Sequence, residues 1–157
     1  MNAPILSSLF AGLLFLLLNG IPADKADGIP ELRLMAATEL KANGGGHFVT
    51  RASINGTDIT VLVDTGATAV ALSFEDAQDV GLRPGHLDFN IPVATANGVA
   101  KAARVKIDRI EVGGVEVDDV DGMVLPEGAL RGTLLGMSFL GRLRSFRVEN
   151  GVLYLRD

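Results

Sequence analysis

The chain has 157 residues, a net charge of −5 and no cysteine. That length bounds it at one domain, the interspersed charges form no basic block that would invite nucleic acid, and the missing thiols remove disulfides, thiolate catalysis and zinc–thiolate sites together. Nearly half of the residues are apolar and few are aromatic, a balance that suits short strands and tight turns better than a helical bundle. His47 and His86 lie far apart without ligand-like spacing, so no metal site and no cofactor is expected.

Residues 1–23 carry no charged side chain, and residues 9–18 are almost wholly aliphatic. The run has the length of a secretory signal core followed by Asn19-Gly20-Ile21-Pro22-Ala23 as a cleavage region. Extended to Ala23 it also reaches ~30 Å or more as a helix, enough for an uncleaved membrane anchor. Both readings export the domain and place it in the cell envelope, anchored at the inner membrane or free as a periplasmic or secreted protein; a buried soluble helix is the plain structural alternative. Residues 24–37 mix charges with Gly28 and Pro30 and read as a tether.

Residues 38–42 and 47–54, joined by Asn43-Gly44-Gly45-Gly46, read as a hairpin, and Asn55-Gly56 is the strongest short hairpin signal in the chain, leading into residues 57–63. The aliphatic run Thr60-Val61-Leu62-Val63 then stops at Asp64-Thr65-Gly66-Ala67, and alternation resumes through Val70 and Leu72. The pattern is strand, tight loop, strand. A carboxylate at the mouth of two buried strands is costly unless it is hydrogen-bonded, partnered or shifted in pKa, which makes Asp64 the first functional candidate. The tripeptide also has a purely structural reading, in which Asp bonds its own backbone, Thr caps and Gly supplies a positive φ.

Ser73 followed by Glu75 and Asp76 predicts a short helix ending by Gly81, and Pro84-Gly85 punctuates a loop over residues 82–89. A second hairpin joins residues 91–95 to 100–107 through Ala96-Asn97-Gly98-Val99, a small polar tip suited to move. Gly113-Gly114 marks a further turn between apolar strands. Asp118, Asp119 and Asp121 resemble part of a calcium loop but lack its remaining ligands and closing Glu, so they read as a solvated strand end. Leu134-Leu135 runs into Gly136 and a short helical pattern through Phe139 and Leu140, and residues 146–149 and 152–155 form a closing hairpin around Asn150-Gly151.

The combination of Val63-Asp64-Thr65-Gly66-Ala67, a candidate flap at Thr95-Ala96-Asn97-Gly98, and Leu134-Leu135-Gly136 before a short helix resembles the retropepsin-like aspartic proteases. The resemblance lies with the bacterial single-domain group bearing an N-terminal membrane segment, and it covers about residues 38–155. It implies a mainly β, single-lobe fold with one or two short helices, spanning residues 38–157, whose half-site is completed by homodimerisation. It implies an aspartic endopeptidase acting on a peptide or protein substrate. The catalytic loop would be Asp64, Thr65 and Gly66, with Ala67, Thr95, Ala96, Asn97 and Gly98 facing substrate and the hydrophobic pair before Gly136 packed beneath the loop.

The chemistry agrees with that implication. Amide hydrolysis without a metal, Cys or Ser needs one group to activate water and another to protonate the leaving nitrogen, and two carboxylates sharing a proton do both. A single Asp-Thr-Gly per chain then requires two chains, with Thr65 bonding across the two-fold. Ala67 stands where pepsin-type enzymes usually have Ser, so one hydrogen bond to the carboxylate is lost and the dyad should be less acidic. Retroviral members usually brace their dimer with an acidic residue and an Arg where this chain has Thr68 and Met137; pairing is therefore expected elsewhere, as through the terminal hairpin around Phe146, Val148, Val152 and Tyr154, or by concentration at a membrane. Ala67, Ala69, Val93 and Ala96 suggest apolar side chains flanking the scissile bond. The alternative is an envelope-tethered peptide-binding or scaffold domain that keeps the fold and never forms the dyad.

Overall fold

The computed structural model describes residues 36–95 and 98–157. The predicted signal or anchor over residues 1–23 and most of the tether lie outside the described residues. No helix among the described residues is long and apolar enough to cross a membrane.

The strands are β1 (Ala37–Lys41), β2 (Val49–Ile54), β3 (Thr57–Val63), β4 (Val70–Leu72), β5 (Ile91–Thr95), β6 (Gly98–Val112), β7 (Val115–Val124), β8 (Thr133–Leu135), β9 (Ser145–Glu149) and β10 (Val152–Arg156). Two short helices, α1 (Phe74–Asp79) and α2 (Met137–Leu140), and a 3₁₀ turn at Pro84–His86 complete the fold. It is mainly β, as the composition predicts.

Seven strands form one sheet in the order β2-β3-β8-β4-β7-β6-β5, and β2 also pairs with β6. That extra pairing, Ser53 with Glu111 and Ile54 with Ile110, bends the sheet back on itself. Asn55 locks the closure. Its φ of 50° and that of Gly56 at 83° are the left-handed pair that a two-residue hairpin needs. From that position its Oδ1 accepts from the Asp108 and Arg109 N–H groups at 3.0 and 3.3 Å, and its own N–H donates to the Arg109 carbonyl at 3.0 Å. The enclosed core is built from Ile, Val and Leu with Phe139, and Ile54, Leu72, Ile107, Ile110 and Leu135 are fully buried.

The turn predicted at Asn43-Gly44-Gly45-Gly46 is present, with the Asn43 N–H donating to the His47 carbonyl at 2.8 Å, but the strands on either side of it do not pair as a hairpin. β1 instead lies antiparallel to β10, with Leu40 opposite Leu153, while β2 pairs with β3. Leu153 and Leu155 are 1% and 0% exposed, and a strand with such a core face needs a neighbour on each edge to satisfy its backbone. β9 covers one edge and β1 the other. Ala36, in the predicted tether, is drawn into this second sheet, its N–H donating to the Asp157 carboxylate at 2.8 Å.

The predicted helix start holds, since the Ser73 hydroxyl accepts from the Asp76 N–H at 3.1 Å. The helix stops at Asp79, and Gly81 follows with a φ of 80°. Asp76 also accepts from the Thr133 hydroxyl at 2.7 Å, tying α1 to β8. The acidic cluster is an ordinary charged strand end. Arg109 pairs with Asp118 at 2.7 Å, Lys106 with Asp121 at 3.0 Å, and the Arg142 guanidinium bonds the carbonyls of Asp118 and Asp119. The hydrogen bond and charge of Asp118 push the Arg109 pKa up, so this guanidinium stays charged at every physiological pH.

Two substitutions separate a steric constraint from mere loop geometry. A Cβ at Gly136 would lie 2.2 Å from the Ala69 carbonyl oxygen and 2.7 Å from that of Ala67, whereas one at Gly85 meets nothing within 4 Å. Denaturant unfolding should show Gly136→Ala losing about 3 kcal/mol or more and Gly85→Ala staying within about 0.5 kcal/mol of the parent. Thr133→Val, which keeps the shape and removes the donor to Asp76, should cost about 1 kcal/mol in the same assay.

Candidate active site

Side chains alternate along β3, and the alternation aims Asp64. Ile59 and Val61 are buried in the core at 7% and 1% exposure, so Thr60, Leu62 and the next residue in phase, Asp64, face the other side of the sheet. β8 runs parallel to β3, with Leu62 beside Leu134 and Val63 beside Leu135, and the Asp64 N–H extends that ladder by bonding the Leu135 carbonyl at 3.1 Å. The backbone of Asp64 is thus still strand while its side chain enters the loop.

Three further bonds shape the loop. The Gly66 N–H donates to Asp64 Oδ1 at 2.8 Å, the Ala67 N–H donates to the Asp64 carbonyl at 3.2 Å, and the Met137 N–H at the start of α2 donates to the Ala67 carbonyl at 2.8 Å. Gly66 does not occupy the left-handed region that a purely structural turn would assign it, since it is absent from the positive-φ glycines of the chain. Its need is close approach: a Cβ there would lie 3.1 Å from Asp64 Oδ1. Asp64 is half-buried and Thr65 and Gly66 are exposed. With Oδ1 held by Gly66, Asp64 Oδ2 has no hydrogen-bond partner among the described residues, and neither has the Thr65 hydroxyl. The loop offers solvent an oriented carboxylate oxygen and a free hydroxyl.

Leu135 and Leu134 have different roles. Leu135 is fully buried beneath the loop, as expected of the apolar pair, but Leu134 is half-buried and turns to the Asp64 face. With Val49, Leu62 and Leu130 it lines a cavity of about 540 Å³ that Arg51, Asp58, Asp76 and Arg131 also line and that Asp64 does not. Arg51 and Asp58 approach to 3.7 Å. Leu62, Val49 and Leu130 were missed by the sequence reading, although the alternation that places Asp64 also places Leu62 two residues earlier on the same face. Val49 follows from its register opposite Leu62, which no local pattern shows.

The four expected loop residues, Asp64, Thr65, Gly66 and Ala67, are together. The flap residues stand apart, on the hairpin of β5 and β6, where Thr95 pairs with Gly98 and the Thr95 hydroxyl donates to the Gly98 carbonyl at 2.8 Å. Gly98 has a φ of 111°, and Val99 behind it is 78% exposed. Ala96 and Asn97 lie outside the described residues. No hydrogen bond joins this hairpin to the Asp64 loop among the described residues. Of the other small residues expected near a cleft, Ala69 has its carbonyl over Gly136 and Val93 is half-buried in β5.

Residues 50–142 match the sequence family described as "gag-polyprotein putative aspartyl protease". An uncharacterized protein encoded in the cobV 5′ region of a Sinorhizobium species is 40% identical over 141 residues, covering 90% of this chain and 60% of its own length. The uncharacterized protein RP867 of Rickettsia prowazekii is 39% identical over 113 residues, covering 72% of this chain and 48% of its own. The chain therefore spans only about half to three-fifths of these curated relatives. Among solved structures, a retropepsin-like aspartic protease from Rickettsia conorii superposes with a TM-score of 0.70 at 35% identity, covering 78% of this chain and 91% of that one. The EIAV protease complexed with the inhibitor HBY-793 shares the fold at a TM-score of 0.56 and 22% identity, over 70% of this chain and all of that one. With its single-lobe β fold, its Asp64 loop seated on α2 and these relatives, the chain belongs to the retropepsin-like aspartic protease family.

Proposed function

We propose that the protein is an aspartic endopeptidase whose active centre forms when two copies bring their Asp64 loops together. The observation that carries this reading is the loop itself: a carboxylate with Oδ1 fixed by Gly66 and Oδ2 open, beside the exposed, unpartnered hydroxyl of Thr65. Two such carboxylates about 3 Å apart cannot both ionise, so the pair holds one proton and titrates as a unit; the general rule is itself drawn from aspartic proteases. The ionised member takes a proton from a water held between them. That water's oxygen attacks the peptide carbonyl carbon while the protonated member donates to the carbonyl oxygen. The member now protonated gives its proton to the amide nitrogen while the other takes one from a hydroxyl of the gem-diol; the C–N bond breaks, releasing a carboxylic acid and an amine and leaving the dyad singly protonated.

Each loop would meet its copy across a two-fold axis, Thr65 facing the partner's loop and Gly66 permitting the approach. The terminal sheet supplies an edge for such pairing. β9 is one of its two edge strands, and Val148 is 60% exposed on the face it shares with Leu153. Val152 and Tyr154 point to the opposite face, where Arg147 lies 4.8 Å over the Tyr154 ring, so Phe146 and Val148 form one surface and Val152 and Tyr154 another. Substrate would lie extended beneath the β5–β6 hairpin, with apolar side chains against Leu62, Leu134 and Val49. Export to the cell envelope by residues 1–23 completes the proposal.

Cleavage of an unbiased peptide library by the full chain tests it, with Asp64→Asn alongside. Turnover should fall by on the order of 10³-fold or more in the variant with the fold intact, and the parent's rate should rise faster than linearly with protein at low concentration. Two folded, inert proteins that bind peptides equally well would instead establish a binding domain. Ala67 offers the carboxylate no hydroxyl, so the ionised form has one hydrogen bond fewer than beside Ser, and the activity profile should extend from acidic towards mildly acidic pH. Ala67→Ser should move the profile in the acidic direction, and an unmoved profile would exclude this role for residue 67.

A further inference from the structure

Ser138, the second residue of α2, occupies a position that the sequence does not distinguish. Its hydroxyl accepts from the Val70 N–H at 2.9 Å and donates to the Asp121 carbonyl at 2.6 Å. Both are single, directed bonds that use the donor and an acceptor site of one oxygen. Val70 opens β4, the strand that leaves the Asp64 loop, and is 0% exposed. β4 meets β8 only at Ala71 opposite Leu134, so the Val70 N–H is satisfied by the hydroxyl and not by a strand. Asp121 lies in β7, whose next residue, Gly122, is the register partner of Val70.

Two consecutive residues of α2 therefore hold the exit of the loop from both sides. The Met137 N–H takes the Ala67 carbonyl at 2.8 Å, and the Ser138 hydroxyl takes the Val70 N–H. Between them residues 68 and 69 pass over Gly136, whose missing side chain leaves room for the Ala69 carbonyl. The entry of the loop is fixed independently, by the strand bond from Asp64 to Leu135. If the exit is released, the loop can pivot about Asp64 while the entry strand and the cleft wall of Leu62 and Leu134 stay in place.

We propose that Ser138 is a positioning residue for Asp64: its hydroxyl clips β4 to β7 and thereby sets the angle at which the loop presents the carboxylate. The proposal rests on the reading of Asp64 as the catalytic acid. Ser138 touches no reacting atom and acts only through residues 67–70. Its role differs from that of the buried apolar residues because it is directional. A side chain of similar volume without the hydroxyl fills the space and loses the clip.

The experiment compares Ser138→Ala, Ser138→Cys and Ser138→Thr with the parent full-length protein, and includes Ile54→Val as a core variant that loses stability far from the loop. Peptide cleavage should show kcat reduced about 10- to 100-fold in Ser138→Ala, in keeping with the cost of a misplacement of about 1 Å, with KM changed less than about threefold because the cleft wall is untouched. Ser138→Thr keeps the hydroxyl and should recover most of kcat. Ser138→Cys, a weaker donor, should fall between, and it serves where the Ala variant does not fold. Ile54→Val should keep the parental kcat. A Ser138→Ala protein with parental kcat, or one whose loss appears in KM alone, overturns the proposal.

Amide hydrogen exchange gives the readout that needs no activity. Exchange of the Val70 amide should accelerate in Ser138→Ala and not in Ser138→Thr or Ile54→Val, and the acceleration should spread to the amides of Gly66 and Ala67. Acceleration confined to Val70 overturns the coupling between the clip and the loop. If the parent cleaves no peptide under any condition, the protease reading fails, and the exchange pattern alone still supports or overturns the clip.

Discussion

The loop and the two halves of the sheet depend on one close approach of backbones. At Gly136 the chain leaves β8 for α2, and the carbonyls of Ala67 and Ala69 occupy the space in which any other residue would carry its Cβ. Because that space is filled by backbone and not by a flexible side chain, nothing nearby can yield at low cost. The approach lets the Met137 N–H reach the Ala67 carbonyl, and the same geometry brings the Ser138 hydroxyl to Val70. A loop that contains only small and polar residues, with no apolar anchor of its own, is given one shape by its contact with a four-residue helix.

The surrounding sheet explains why the helix stays where the loop needs it. β3 and β4 are separated by β8, parallel to the first and antiparallel to the second, and β4 continues parallel to β7. Parallel neighbours require crossovers. The crossover from β3 leaves through the Asp64 loop and its return strand β8 runs into α2, so both ends of that pairing meet at the site. Phe139 and Leu140, fully buried, hold α2 against the sheet, and the Asn55 side chain seals the distant end by bridging β2 and β6. The closure is remote from Asp64, yet it removes a free edge and stiffens the strands that carry the loop.

Much of this was legible in local chemistry. Asn55-Gly56 demands left-handed backbone, Ser73 needs a helix to cap, and Asp64 ends an alternating strand; each statement concerns residues a few positions apart, and each corresponds to a feature of the fold. What stayed hidden involves partners far along the chain. The glycine-rich turn after β1 reads as a hairpin because turn chemistry reports that the chain bends and not which strand it next joins. The choice of β10 as partner depends on Leu153 and Leu155 more than a hundred residues later. Leu134 and Leu135 look equivalent as letters, and only the register with Leu62 and Val63 turns one to the cleft and the other to the core. Ser138 has no sequence signature at all, since its two partners come from β4 and β7.

If two copies pair as proposed, these constraints divide the labour between one protomer and two. Within a single chain the loop is already bonded at its entry and exit, and the carboxylate already has one oxygen fixed. On the proposed function, what a second copy adds is its Asp64, and with it the second carboxylate that holds the attacking water. Association then carries the cost of lost rigid-body freedom but little further cost of ordering the loop, which lowers the free energy that the interface must supply. An interface need not be large under that condition. On that proposal, activity depends on how often two finished half-sites meet, and local concentration, not the folding of the loop, is the variable that sets it.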